Sequence, residues 1–216
     1  MGDSRSSGAV SRYRGGAVVT GKDIVSRTSL VSERERMQKE VDEVLSVFSD
    51  VYDEYGTIIG DIQLAELTGR ATNALAFYDD NDNIAVNTAF FSSGKMDKAM
   101  ADCVKSGFHP SMGDKTGLQA VIAHELGHKL TAEVGAKMGK HGWANFDSVA
   151  TDVVKEARKQ TGHKGVVQMA SKISKYATSS NAEAIAEAFG DVFCNGKKAQ
   201  KESIAIVNVM NKYLKK

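Results

Sequence analysis

Apolar side chains recur every three or four residues at Val41, Val44, Leu45, Phe48, Val51 and Tyr52, a spacing that predicts one amphipathic helix ending near Gly56. Ser32, with Glu35 three residues later, has the form of a capping box at its start. Between Thr57 and Asn87 the pattern breaks into short runs. Ala74 to Tyr78, the turn residues Asp79-Asp80-Asn81-Asp82, and Ile84 to Val86 predict a hairpin or a small antiparallel sheet. A helix is expected near residues 96–106, then a loop from Gly107 to Asp114 holding the only proline, Pro110, then a long helix from about Thr116. The remainder reads as helical and closes through Ile204, Val207, Met210 and Leu214. A small sheet followed by mostly helices predicts an α+β fold.

Residues 1–28 break this patterning. They are rich in Ser, Gly and Arg without an apolar period, and are expected to form a flexible basic arm ahead of one domain over residues 29–216. Lys and Arg total 28 against 27 Asp and Glu, so no strong field collects nucleic acid or an anionic membrane. No run approaches the roughly 20 apolar residues of a membrane span, and no apolar signal block opens the chain. A cytoplasmic location is expected. Cys103 and Cys194 have no spacing that suggests a disulfide framework or a thiolate metal site, and read as two buried thiols.

The chemistry concentrates in His124-Glu125-Leu126-Gly127-His128, an H-E-x-x-H pattern set among Leu118, Val121, Ile122 and Leu130. On a helix the two histidines point nearly the same way and Glu125 projects beside them, while Leu118, Ile122, Leu126 and Leu130 face a core. Two imidazoles can then share one ion, and Glu125 can reach a water on it. By residue frequencies such a pattern arises by chance in about one chain in a hundred of this size. The competing reading is a helix with two unrelated histidines and a solvated glutamate.

A catalytic zinc site usually takes three protein ligands and keeps an open position. The extended pattern with a third histidine would need glycine at 131 and histidine at 134, where this chain has Thr131 and Val134. The best downstream source is the segment Asn181 to Asp191, with Asn181 expected as N-cap. There Glu183, Glu187 and Asp191 share one side, with the small Ala186 and Gly190 at its margin. That acidic stripe reads equally well as the wet face of a helix. His141, His163 and Asp147 stay open as ligands, whereas His109 and Trp143 read as ordinary loop, surface or packing residues.

These motifs resemble the gluzincin metallopeptidases, whose third ligand is a glutamate on a helix downstream of H-E-x-x-H. The pattern is similar to anthrax lethal factor-like domains, in which a tyrosine stands seven residues before that glutamate. Here Tyr176 precedes Glu183, and residues 182–189 read A-E-A-I-A-E-A-F. The chain also resembles zincin-like domains of bacteriophage minor head and virion-associated proteins, over Ala76 to Phe91, Gly107-Phe108-His109-Pro110, Ile122 to His128 and Ile173 to Phe189. One departure is Ala184-Ile185, in place of an aromatic pair.

The resemblance implies a zincin fold with one Zn2+ held by His124, His128 and Glu183. It further implies Glu125 as general base, Tyr176 as a hydrogen-bond donor to the transition state, and Glu187 as a carboxylate behind a ligand histidine. The activity so implied is hydrolysis of protein or peptide substrates, with an extended substrate pairing to an edge strand at Asn83 to Asn87. A phage-encoded protein acting in a bacterial host, incorporated in a virion and docked on phage structural proteins through its arm, is the implied setting. The alternatives are a structural or binding component of a phage particle with little hydrolysis, and a host-directed protease toxin.

Overall fold

Val41, Val44, Leu45, Phe48, Val51 and Tyr52 all turn inward on helix α1 (Gln38–Tyr55). The helix stops at Gly56, whose φ of +71° and N–H bond to the Tyr52 carbonyl form a left-handed cap that favours glycine. The structure is a computed structural model and describes residues 13, 14, 17, 18, 30 and 37–215. The expected Ser32–Glu35 capping box lies outside the described residues. So does the expected arm, apart from strands β1 (Tyr13–Arg14) and β2 (Ala17–Val18), which pair antiparallel.

The expected hairpin is present as β4 (Ala76–Tyr78) and β5 (Asn83–Asn87), paired antiparallel. Asp79 fixes its turn, accepting from the backbone N–H groups of Asn81 and Asn83 at 2.9 Å each. A further strand, β3 (Asp61–Ala65), runs parallel to β5 on its other side, so the sheet is mixed, in the order β3-β5-β4. This overturns the expectation that Asn83 to Asn87 is an edge open to a substrate. Ile84, Ala85 and Val86 are buried in succession, the pattern of a strand covered on both faces, and both of its ladders are already taken.

Helix α2 (Ser93–Lys105) leads through the Pro110 loop to α3 (Gly117–Lys137). Thr116 and Gln119 form a complete capping box there: the Thr116 hydroxyl accepts from the Gln119 N–H, and the Gln119 side chain accepts from the Thr116 N–H. Leu118, Ile122, Leu126 and Leu130 are fully buried, the inward arc read from the sequence. Lys129 bends back from α3 to Asp82 at 2.8 Å and to Glu133 at 3.6 Å, tying the helix to the β4–β5 turn. Helices α4 (Phe146–Thr161), α5 (Val166–Ala170), α6 (Asn181–Asn195) and α7 (Lys201–Leu214) complete the helical half. The result is the α+β, zincin-like arrangement anticipated, with a small sheet and seven α-helices among the described residues.

Helices α3 and α6 pack very closely. A methyl group added at Gly127 would lie 2.7 Å from the Ala186 Cα, a backbone atom that yields only if a helix shifts. Gly127→Ala should therefore destabilise the fold by roughly 1–3 kcal/mol, about 2–12 °C in Tm for a domain of this size. Gly94→Ala, whose added methyl meets nothing within 4 Å, should leave Tm unchanged or slightly higher. Thermal melts of the two variants test the contact, and equal Tm values would remove it as a constraint.

Candidate metal centre

One turn of α3 separates His124 from His128, and the close α3–α6 contact brings the first turn of α6 opposite both. Glu183 Oε2 lies 3.1 Å from His124 Nε2 and 3.5 Å from His128 Nε2. One ligand atom from each residue falls within 4.8 Å of the others, and this is a metal-compatible group among the described residues. Tetrahedral zinc with bonds of about 2.0–2.1 Å holds neighbouring ligand atoms roughly 3.3 Å apart, which the two measured separations bracket. Glu183 Oε2 is buried yet makes no hydrogen bond despite its two imidazole neighbours, and His128 Nδ1 is buried and unpartnered too. Orphaned buried acceptors are costly, and a cation at the focus of the three ligands satisfies the carboxylate oxygen. The residues present fit a zinc ion.

The start of α6 differs from expectation in one detail. Ser180, in an extended conformation, is the cap, and its hydroxyl accepts from the Glu183 N–H at 3.1 Å. Asn181 is the first helical residue and donates instead to the Thr151 hydroxyl at 3.0 Å. The shift leaves Glu183 in the first turn, where the helix dipole favours a carboxylate. Burial raises its pKa, but His124 and His128 more than reverse this and hold it well below the ordinary range.

The rest of the acidic stripe is not a wet face. Glu187 is 2% exposed and Asp191 3%. Glu187 Oε1 accepts from Nδ1 of both His109 and His124 at 2.8 Å, and Oε2 accepts from the Ser174 hydroxyl at 2.7 Å. Burial works to raise its pKa, but the hydrogen bonds from His109 and His124 prevail and hold it at about 2. Burial would likewise depress His124, yet Glu183 and Glu187 raise its pKa well above the ordinary value. Asp191 faces elsewhere, accepting from Asn195, the Gln200 N–H and the Ser203 hydroxyl, and joins α6 to α7.

His109 was expected to be an ordinary loop residue, and the structure overturns this. Its partner Glu187 is distant in sequence, so no local spacing announces the bond; its only early signal is the Gly107 to Pro110 stretch of the phage-domain resemblance. Two backbone bonds, Lys175 N–H to Gly107 O and Tyr176 N–H to Phe108 O, fasten its loop to the chain before α6. Tyr176 stacks between Phe108 at 5.0 Å and His124 at 5.9 Å. Its hydroxyl pKa is raised, first by burial and then by Glu183 and Glu125. Glu125 is 6% exposed; burial raises its pKa against the neighbouring imidazoles, and a backbone bond from Tyr78 on β4 lowers it.

The other ligand candidates do not reach this point. His141 and Asp147 are exposed, and His163 Nε2 pairs with buried Glu202 at 2.7 Å. Trp143 is 50% exposed and stacks on Phe146 at 4.6 Å, in keeping with a surface packing role. Cys103 and Cys194 are free thiols, half-buried rather than buried, on the wall of a cavity that adjoins His124 and Glu125.

The family model of peptidase family M48 matches residues 32–215. No curated protein and no solved structure matches the chain. The matched stretch contains every residue of the histidine–carboxylate cluster, and the chain belongs to peptidase family M48, a zinc metallopeptidase family of the gluzincin type.

Proposed function

We propose that this chain is a zinc-dependent endopeptidase in which His124 and His128, through Nε2, and Glu183 hold one Zn2+. The observation that carries the reading is the convergence of those three ligand atoms with a buried, unbonded Glu183 oxygen among them. When bound, zinc supplies Lewis-acid activation of a water and of the scissile carbonyl. Glu125 takes the proton of the attacking water and returns it to the leaving amine, as its raised pKa and its place beside both histidines suit. Tyr176 offers its hydroxyl to the developing oxyanion; burial keeps that group protonated and able to donate. Glu187 fixes the His124 ring by accepting from Nδ1, which leaves Nε2 for the metal.

The substrate strand is assigned to β4 rather than β5. Asn87 N–H bonds Leu75 O and Asp79 N–H bonds Asn83 O, so alternate residues of β4 aim their backbone groups at β5. Ala76 and Tyr78 aim theirs outward. The Tyr78 N–H is turned toward Glu125, and Ala76 is the residue that offers both an outward N–H and an outward carbonyl to an extended substrate.

The finer readings rest on sequence resemblance alone: kinship with lethal factor-like domains, a phage-encoded and virion-associated protein, and docking on phage structural proteins. The matched family speaks to none of them. No helix among the described residues is long and apolar enough to cross a membrane.

Elemental analysis should find about one zinc per chain in the native protein and in Glu125→Gln, and little in Glu183→Ala. Zinc retained in full by Glu183→Ala would remove that residue from the ligand set. Glu125→Gln should lower peptide hydrolysis by at least about a hundredfold with zinc bound, and undiminished turnover would reject it as the base. Ala76→Pro removes only an outward N–H on an edge strand, where proline is tolerated. It should weaken kcat/KM for extended peptides by about tenfold, near the 1.4 kcal/mol of one hydrogen bond, with Tm little changed. Unaltered kcat/KM in that variant would place the substrate elsewhere.

A further inference from the structure

Behind Glu125 and His124 lies a cavity of about 390 Å³, within the range of small-ligand pockets. Leu75 of the β4 approach, Phe90, Met100 of α2 and Val121 of α3 supply apolar walls, while Ala99 and Ala120 leave the space between them open. Three carboxylates border it: Glu187 and Asp191 are already committed, and Glu125 is the residue assigned above as the base. Glu187 accepts three hydrogen bonds, and Asp191 accepts from Asn195, Gln200 and Ser203. Among the described residues, no Lys or Arg lines the cavity. A charged group entering between these apolar walls would lose its hydration, whereas an apolar group gains by leaving water.

The strand register says what enters. A substrate residue directly opposite Ala76 places its side chain on the same face of the sheet as the Ala76 methyl. That face is the buried one, and Ala76 itself lines the cavity. We infer that the substrate residue paired with Ala76 is a large apolar one, phenylalanine, leucine or methionine in class, with its side chain in the cavity walled by Leu75, Phe90, Met100 and Val121. This rests on the peptidase reading above and deepens it, since it turns a general peptide hydrolase into one that selects a bulky hydrophobic residue beside the site of cleavage.

Two measurements on the full zinc-loaded chain test it. The first profiles cleavage of a peptide library. One position near the scissile bond should favour Phe, Leu or Met over Ala by tenfold or more in kcat/KM, and reject Lys and Glu more strongly still. The second needs no turnover: methyl NMR with N-acetylphenylalaninamide as probe, and N-acetyllysinamide as control. The aromatic probe should shift the methyl signals of Met100, Leu75 and Val121, and the lysine probe should leave them in place. Ala99→Trp, a half-buried position on the cavity wall, should abolish the aromatic response and flatten the library preference while leaving the melting curve cooperative. Probe response without any cleavage would sink the peptidase reading and keep the pocket. Cleavage without apolar preference, or no response of those methyls to the aromatic probe, would overturn the pocket assignment.

Discussion

The closeness of α3 to α6 is the constraint on which the site depends. Two histidines one turn apart define a direction but not a site; a carboxylate must arrive from another element at the distance a metal bond requires. Gly127 against the backbone of Ala186 permits that approach, because a single added methyl would lie inside van der Waals contact. Any wider spacing would carry Glu183 out of reach of the two ring nitrogens it now faces at 3.1 and 3.5 Å. Packing geometry, rather than any attraction among the ligands, therefore sets the group.

Glu187 performs a second kind of organisation. It sits 2% exposed and accepts from three donors carried by three different segments: His109 in the loop before α3, His124 on α3, and Ser174 ahead of α6. A buried carboxylate is costly unless fully bonded, and full bonding here fixes a ring orientation, a loop and a turn at once. The stacked Phe108, Tyr176 and His124 rings lie on the same framework. Tyr78 adds a link from the sheet to Glu125, so strand and helix contribute to one constellation.

Much of this was legible in the residue order. The arc of Leu118, Ile122, Leu126 and Leu130, the Gly56 stop, the β4–β5 turn and the Thr116 start are local, and each follows from periodicity or cap chemistry acting within one or two turns. Ser180 displaced Asn181 as cap because the backbone before α6 is extended at 180, a conformation set by the loop it leaves. Strand β5 proved central because β3 joins it in parallel, a pairing made across a long crossover that no local pattern encodes.

The sequence by itself determined the paired histidines and their glutamate on one helix face, the small residues at the margin of the downstream acidic stripe, and an α+β order of elements. These depend on intervals of three, four or two residues, the periods of a single helix or strand. Only the tertiary structure decided that the acidic stripe is buried, that Glu183 meets the histidines while Asp191 turns to α7, and that His109 shares Glu187 with His124. Those outcomes join residues dozens of positions apart, and such distances are fixed by how helices pack and strands order, which no short-range spacing specifies.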